Sequence, residues 1–166
     1  MPAIYALYRQ NLLPKKFAIL GTSRSPYSDD AFRNKIVSDI KTYASLKKAD
    51  QKQLGAFSKH LYYQALDATD INHYEELKKK LSTIDNKLKI GGNYIYYLST
   101  SPSLYTSIAD NIGKKDLQKE GKTSSWKRII IEKPFGRDLK SAKALNADLQ
   151  SIFDEDQIYR IDHYLG

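Results

Sequence analysis

The chain has 166 residues, 41% of them hydrophobic and 28% charged, and carries a formal net charge of +8 without a single cysteine. That length suits one domain able to bury a core. The absence of cysteine excludes disulfides and thiolate metal centres, and no apolar run approaches the about twenty residues a membrane-spanning helix needs.

The first residues, "MPAIYALYRQNLLPKKF", show no basic leader region and no small-residue cleavage site, so a cytoplasmic protein is expected. Residues 2–10 read as a helix, with Pro2 in its first turn and Ile4, Leu7 and Tyr8 on one face. "KFAILG" (16–21) reads as a short buried strand closed by Gly21. From Ser28 the sequence opens a second helix, with Ser28 as cap, acids in the first turn, and Phe32, Ile36, Ile40 and Tyr43 at helical spacing. A short helix around Gln51–His60 precedes a strand, "LYYQALD" (61–67), and then a helix capped by Thr69 or Asp70. "GGN" (91–93) punctuates before the strand "YIYYLST" (94–100), and Pro102 starts a helix that runs toward Gly113. A polar loop (114–125) leads to the strand "KRIIIEK", the helix "DLKSAKALNADLQSIF" and the strand "QIYRID".

Strands alternating with helices predict an α/β fold, a Rossmann-like parallel sheet with helices on both faces. In such sheets ligands bind beyond the carboxyl ends of the strands. Here those ends read "GTSR" (21–24), "DATD" (67–70), "STSP" (99–102), "EKPFG" (132–136) and "DHYLG" (162–166), all polar or turn-forming. The isoleucines of 129–131 are therefore core, and Glu132 and Lys133 stand on a rim, with Pro134 ending the strand and aiming Lys133.

Arg24, just past a strand, suits the extra phosphate of NADP where an acid would suit the ribose hydroxyls of NAD. Asp162 and His163 are neighbours in extended backbone, so their side chains diverge. His163 fits a phosphate donor and Asp162 an orienter of a histidine elsewhere. His60 and His73 read as surface or packing residues, as does Trp126, and the tyrosines at 62, 63, 94, 96 and 97 as core. The positive charge also fits a basic nucleic-acid-binding domain, the alternative function. Against it, "LKKADQKQ" and "ELKKKL" place lysines on solvated helix faces, and no nucleic-acid motif is present.

"FAILGTSR" with "DDAFR", "LDATD", "YIYYLSTSPSLY", "RIIIEKPFG" and "EDQIYRIDHYLG" together closely resemble the N-terminal region of the glucose-6-phosphate dehydrogenases. The resemblance implies an oxidoreductase that oxidises C1 of glucose 6-phosphate to the 6-phosphogluconolactone with NADP, NAD also being possible, in the pentose phosphate pathway. It implies that Arg24 grips the 2′-phosphate, that Lys133 reaches coenzyme and sugar, that Tyr105 and Glu132 lie near the coenzyme, and that Asp67 sits beside its adenosine part. It further implies that His163 and Tyr164 bind the sugar phosphate and that Asp162 pairs with the catalytic histidine. Members of the family begin with a strand and a G-x-x-G-D-L turn and carry a large second domain for substrate and association into homo-oligomers. Residues 1–166 accordingly read as a partial NADP-binding domain without that first strand, inactive alone. In a sheet ordered 3-2-1-4-5-6 the first strand is central, so "FAIL" and "YIYYLS" are expected to lack a shared neighbour.

Overall fold

The computed structural model describes residues 1–43, 51–121 and 125–162. Helices and strands follow in the expected order, and all strand pairs are parallel. The residues form two compact units, one of 1–66 with 83–90 and the other of 67–82 with 91–166.

The first unit holds α1 (Pro2–Arg9), β1 (Ile19–Ser23), α2 (Asp29–Tyr43), α3 (Gln51–Ser58) and β2 (Leu61–Ala65), together with the last turns of α4 (Ile71–Leu88). Its core is Tyr5, Ile36, Ile40, Leu54, Phe57 and Leu61, with Ile4, Tyr8, Phe17 and Phe32 packed against it. The α1 face is therefore centred on Tyr5; Leu7, expected on it, is 41% exposed. Tyr43, expected on the buried face of α2, is 75% exposed. Tyr43 keeps the angular position of Phe32 and Ile36 but is the last residue of α2, one turn beyond Ile40, the last buried residue of the helix.

Strand β1 does not stop at Gly21 but runs through it to Ser23. Gly21 serves close approach instead: a Cβ there would lie 2.4 Å from Cζ of Phe32, whose ring needs the space. On β2, the backbone groups facing away from β1 are met by α2. Asp29 Oδ1 accepts from the Tyr63 N–H (2.8 Å) and Arg33 Nε donates to the Leu61 carbonyl (2.9 Å). Ser28 caps the same helix by accepting from the Ala31 N–H at 3.1 Å, as its sequence position predicts. One edge of this small sheet is thereby closed by side chains.

The second unit contains the start of α4, β3 (Tyr94–Leu98), α5 (Tyr105–Lys114), β4 (Lys127–Glu132), α6 (Leu139–Gln150) and β5 (Ile158–Ile161). The sheet order is β3-β4-β5, separate from the β1-β2 pair, so β1 and β3 each have one strand neighbour among the described residues. Alternation along β4 buries Lys127, Ile129 and Ile131. On the same face, Tyr96 donates to the Leu117 carbonyl (2.8 Å) and Arg160 reaches Asn146 of α6. The opposite face leaves Ile95, Tyr97 and Tyr159 about half exposed.

Glu120 ties the loop before β4 to the sheet. Its Oε1 accepts from the Lys127 N–H (2.9 Å), from Arg128 Nη1 (2.6 Å) and from Gln157 Nε2 (3.2 Å). The Lys127 N–H, more than the other donors, holds this carboxyl below its usual value of 4.5. A carboxylate held low stabilises the fold fully above that usual value, and the contribution is lost as pH falls through the lower, folded one. The urea midpoint is therefore expected to drop between pH 6 and pH 3. Glu120→Gln should lower the pH 6 midpoint and flatten that slope; an unchanged slope contradicts the role given to Glu120.

Candidate coenzyme site at the strand exits

In the first unit, the exit of β1 carries Arg24, exposed and without an ion pair among the described residues. The turn that presents it is built by Tyr63 of β2. Register places Tyr63 opposite Gly21, and its phenol reaches past the glycine to the carbonyls of Ser23 (3.1 Å) and Ser25 and the Ser23 hydroxyl (2.7 Å). The turn's main chain is thus held on both sides of Arg24 while the guanidinium remains available for an anion. Tyr27 and Phe32 pack on the Tyr63 ring at 5.4 and 5.1 Å between centroids. Sequence reading placed Tyr63 in the core, which is right for the ring; only the register shows what its hydroxyl does.

In the second unit, Asp67 opens the loop after β2. Its Oδ1 accepts from the Thr69 N–H (2.9 Å) and hydroxyl (2.7 Å), and its own N–H donates to Nδ1 of His73 (2.9 Å). His73 therefore carries its proton on Nε2 and acts as a local brace. The Ala68 carbonyl accepts from Tyr74 (3.0 Å) and from Asn111 Nδ2 (3.1 Å), fixing the loop from below. Burial, ahead of other causes, pushes the Tyr74 phenol up to about 12, so it remains a donor. Asp70 accepts from the Asn72 N–H at 2.9 Å and, of the two expected caps, is the one that meets α4.

The exit of β4 gathers the remaining described candidates. Tyr105, the first residue of α5, has its ring 1% exposed and donates to the Glu132 carbonyl at 3.1 Å. It supports the strand end from inside. Tyr97 of β3 donates to Oε1 of Glu132. Lys133 is exposed; its N–H donates to the Ile161 carbonyl (3.3 Å) and its ammonium pairs with Asp162, also exposed. The peptide bond from Lys133 to Pro134 is cis. Glu132, Lys133, Tyr105 and Asp162 are thus one connected cluster. His163 and Tyr164 lie outside the described residues. Tyr97 was assigned to the core from sequence but is 52% exposed, on the sheet face where Ile95 and Tyr159 are also half exposed. Two shallow recesses, one lined by Asp110, Gly113, Lys114, Gln118, Ser151 and Ile152 and one by Ala6, Arg9, Gln10 and Gln53, include none of the candidates.

Parallel strands joined by helices, with cations and carboxylates at their carboxyl ends, define a Rossmann-like dinucleotide-binding architecture. Residues 1–166 match, in full, the family model described as glucose-6-phosphate dehydrogenase, NAD binding domain, and the chain belongs to that family. It is 42% identical over 166 residues to the glucose-6-phosphate 1-dehydrogenase of Aggregatibacter actinomycetemcomitans, covering 100% of this chain and 33% of that protein. It is 38% identical to the Bacillus subtilis enzyme of the same name, covering 99% of this chain and 32% of the relative. Among solved structures, a glucose-6-phosphate dehydrogenase in complex with its substrate glucose-6-phosphate superposes with a TM-score of 0.81 at 30% identity, over 99% of this chain and 33% of that one. The Mycobacterium avium glucose-6-phosphate 1-dehydrogenase superposes at 0.77 with 32% identity, over 96% and 32%. The chain thus spans about a third of the length of the relatives it matches.

Proposed function

We propose that this chain is the coenzyme-binding part of a cytoplasmic oxidoreductase that oxidises glucose 6-phosphate at C1 with NADP, or with NAD. The whole-chain match to an NAD-binding domain of that family carries the reading. No helix among the described residues is long and apolar enough to cross a membrane.

The residues fit a dinucleotide. Arg24 is an exposed cation on a pinned turn, suited to a terminal phosphate on the adenosine ribose. Asp67 is anchored through Oδ1 in the loop after β2, and Glu132 and Lys133 flank the end of β4. A bound coenzyme would supply the hydride acceptor for the sugar. On binding, Lys133 would exchange Asp162 for an anionic oxygen, which would free the Asp162 carboxylate to orient a histidine for proton removal. His163 and Tyr164 complete the proposal as ligands of the sugar phosphate.

Titrating the 166-residue chain with NADP and with NAD, followed by amide NMR shifts, tests this. NADP is expected to shift the amides around Arg24 and Lys133. Arg24→Ala should weaken NADP about tenfold or more, the scale of a charge-assisted hydrogen bond, while leaving NAD nearly unaffected. Equal losses for both coenzymes, or shifts confined to the lysine-bearing helices, would refute the assignment.

A further inference from the structure

Tyr97 has no evident reason to be where it is. It stands two residues short of the β3 exit with half its side chain in water, on the sheet face that also exposes Ile95 and Tyr159. Register places it opposite Ile130, so reaching Glu132 takes its phenol diagonally across two residues of β4. The same Glu132 is held a second time, through its carbonyl, by the buried Tyr105 of α5. The next residue is tied twice, by its N–H to Ile161 of β5 and by its ammonium to Asp162 just beyond that strand.

The geometry points to Tyr97 as a positioning residue: by holding the Glu132 carboxylate on its own face of the sheet it fixes the end of β4, from which Lys133 presents its ammonium to an anionic ligand. Here each has its own partner, Glu132 the phenol and Lys133 a carboxylate that a phosphate or hydroxyl oxygen can replace. A phenol suits the task because it donates one hydrogen bond without adding charge. The neighbouring Glu132 also raises the pKa of the Tyr97 phenol, chiefly through the hydrogen bond itself, so the donor survives at neutral and mildly alkaline pH. This inference rests on the reading of Lys133 as a ligand-binding cation.

Two measurements on the 166-residue chain test it. In the first, tyrosines labelled at Cζ are titrated with alkali by NMR. Tyr97 should ionise at higher pH than Tyr43, which is 75% exposed, and Glu132→Gln should move Tyr97 toward Tyr43. In the second, NADP affinity is compared for the wild type, Tyr97→Phe and Lys133→Ala. Tyr97→Phe keeps the ring and loses only the donor, so the urea midpoint should hardly move while NADP binding weakens about tenfold. If Tyr97→Phe binds NADP like the wild type while Lys133→Ala does not, positioning by Tyr97 is wrong and the assignment of Lys133 stands. If neither variant changes NADP binding, both fall. Should Tyr97→Phe fail to fold, the alkali titration decides alone: coincident ionisation of Tyr97 and Tyr43 overturns the proposal.

Discussion

Replacing Gly136 by alanine is expected to destabilise the second unit by about 3 kcal/mol, several times the effect of an ordinary surface change. A Cβ at this position would lie 2.5 Å from the Ala142 nitrogen, 2.9 Å from its Cα and 2.8 Å from Ser141 Oγ. Two of the three are main chain or bound to it, so no side chain can swing aside. The first turn of α6 must move instead, and that turn is built tightly. Asp138 accepts from the Ser141 N–H (2.7 Å), while Ser141 Oγ accepts from the N–H groups of Arg137 (2.9 Å) and Asp138 (3.1 Å). Opening this capping box costs about 1 kcal/mol by itself, and the overlap adds the rest. Urea unfolding followed by the fluorescence of Trp126, the only tryptophan, measures it. Gly55→Ala is the control, since a Cβ there meets nothing within 4 Å. A Gly136→Ala midpoint indistinguishable from the control would show that the corner yields freely. The glycine of "EKPFG" is then a packing residue: it lets the chain turn from the rim at Lys133 straight onto α6.

The order of elements was legible because the apolar periods are clean and the punctuation is strong. Ile129 and Ile131 alternate with half-buried neighbours as a sheet residue must, and Ser28 and Asp138 cap the helices they precede. The candidate site was open to sequence reasoning only in part. The strand-exit rule nominates Arg24, Asp67, Glu132, Lys133 and Asp162 as candidates because it needs only chain order. It does not find Tyr63 and Tyr97, whose hydroxyls hold those exits in place, because their task depends on register. Tyr63 acts on the Arg24 turn through its place opposite Gly21, and Tyr97 acts on Glu132 through its place opposite Ile130. Sequence patterns report which face a side chain takes and are silent about which neighbour it meets across the ladder. Strand ends erred for a related reason. Gly21 suggested a stop, yet the ladder continues to Ser23 because the glycine answers to Phe32 rather than to a turn.

Phe57→Ala is expected to cost about 3–5 kcal/mol and to loosen the first unit as a whole. Domains of this size are stable by only about 5–15 kcal/mol, so the loss is a large share. Phe57 is fully buried, and its ring meets Tyr5 edge-on at 5.3 Å and Tyr8 at 5.2 Å. Tyr8 in turn touches Phe17, which stacks on His60 at 4.2 Å, and His60 shares a hydrogen bond with the Phe17 carbonyl (3.0 Å). His60 is therefore a packing residue, and this aromatic chain joins α1 and α3 to the segment that enters β1. Removing the ring leaves a cavity that Tyr5 and Tyr8 cannot fill without abandoning these contacts. The loss should spread to the β1-β2 ladder, since Ile19 and Leu61 pack in the same cluster. Hydrogen exchange reads this directly. The N–H of Ile19, bonded to the His60 carbonyl (2.9 Å), and that of Leu66, bonded to Ser23 (2.8 Å), should both lose protection. The Ser23 carbonyl also belongs to the turn that presents Arg24, so a coenzyme that needs this turn should bind Phe57→Ala more weakly, although Phe57 is a core residue outside the set assigned to it. Tyr43→Ala, at an exposed aromatic, should stay within about 0.5 kcal/mol of the wild type. If the two variants unfold at the same midpoint, the aromatic cluster is not what holds β1 and its turn in place.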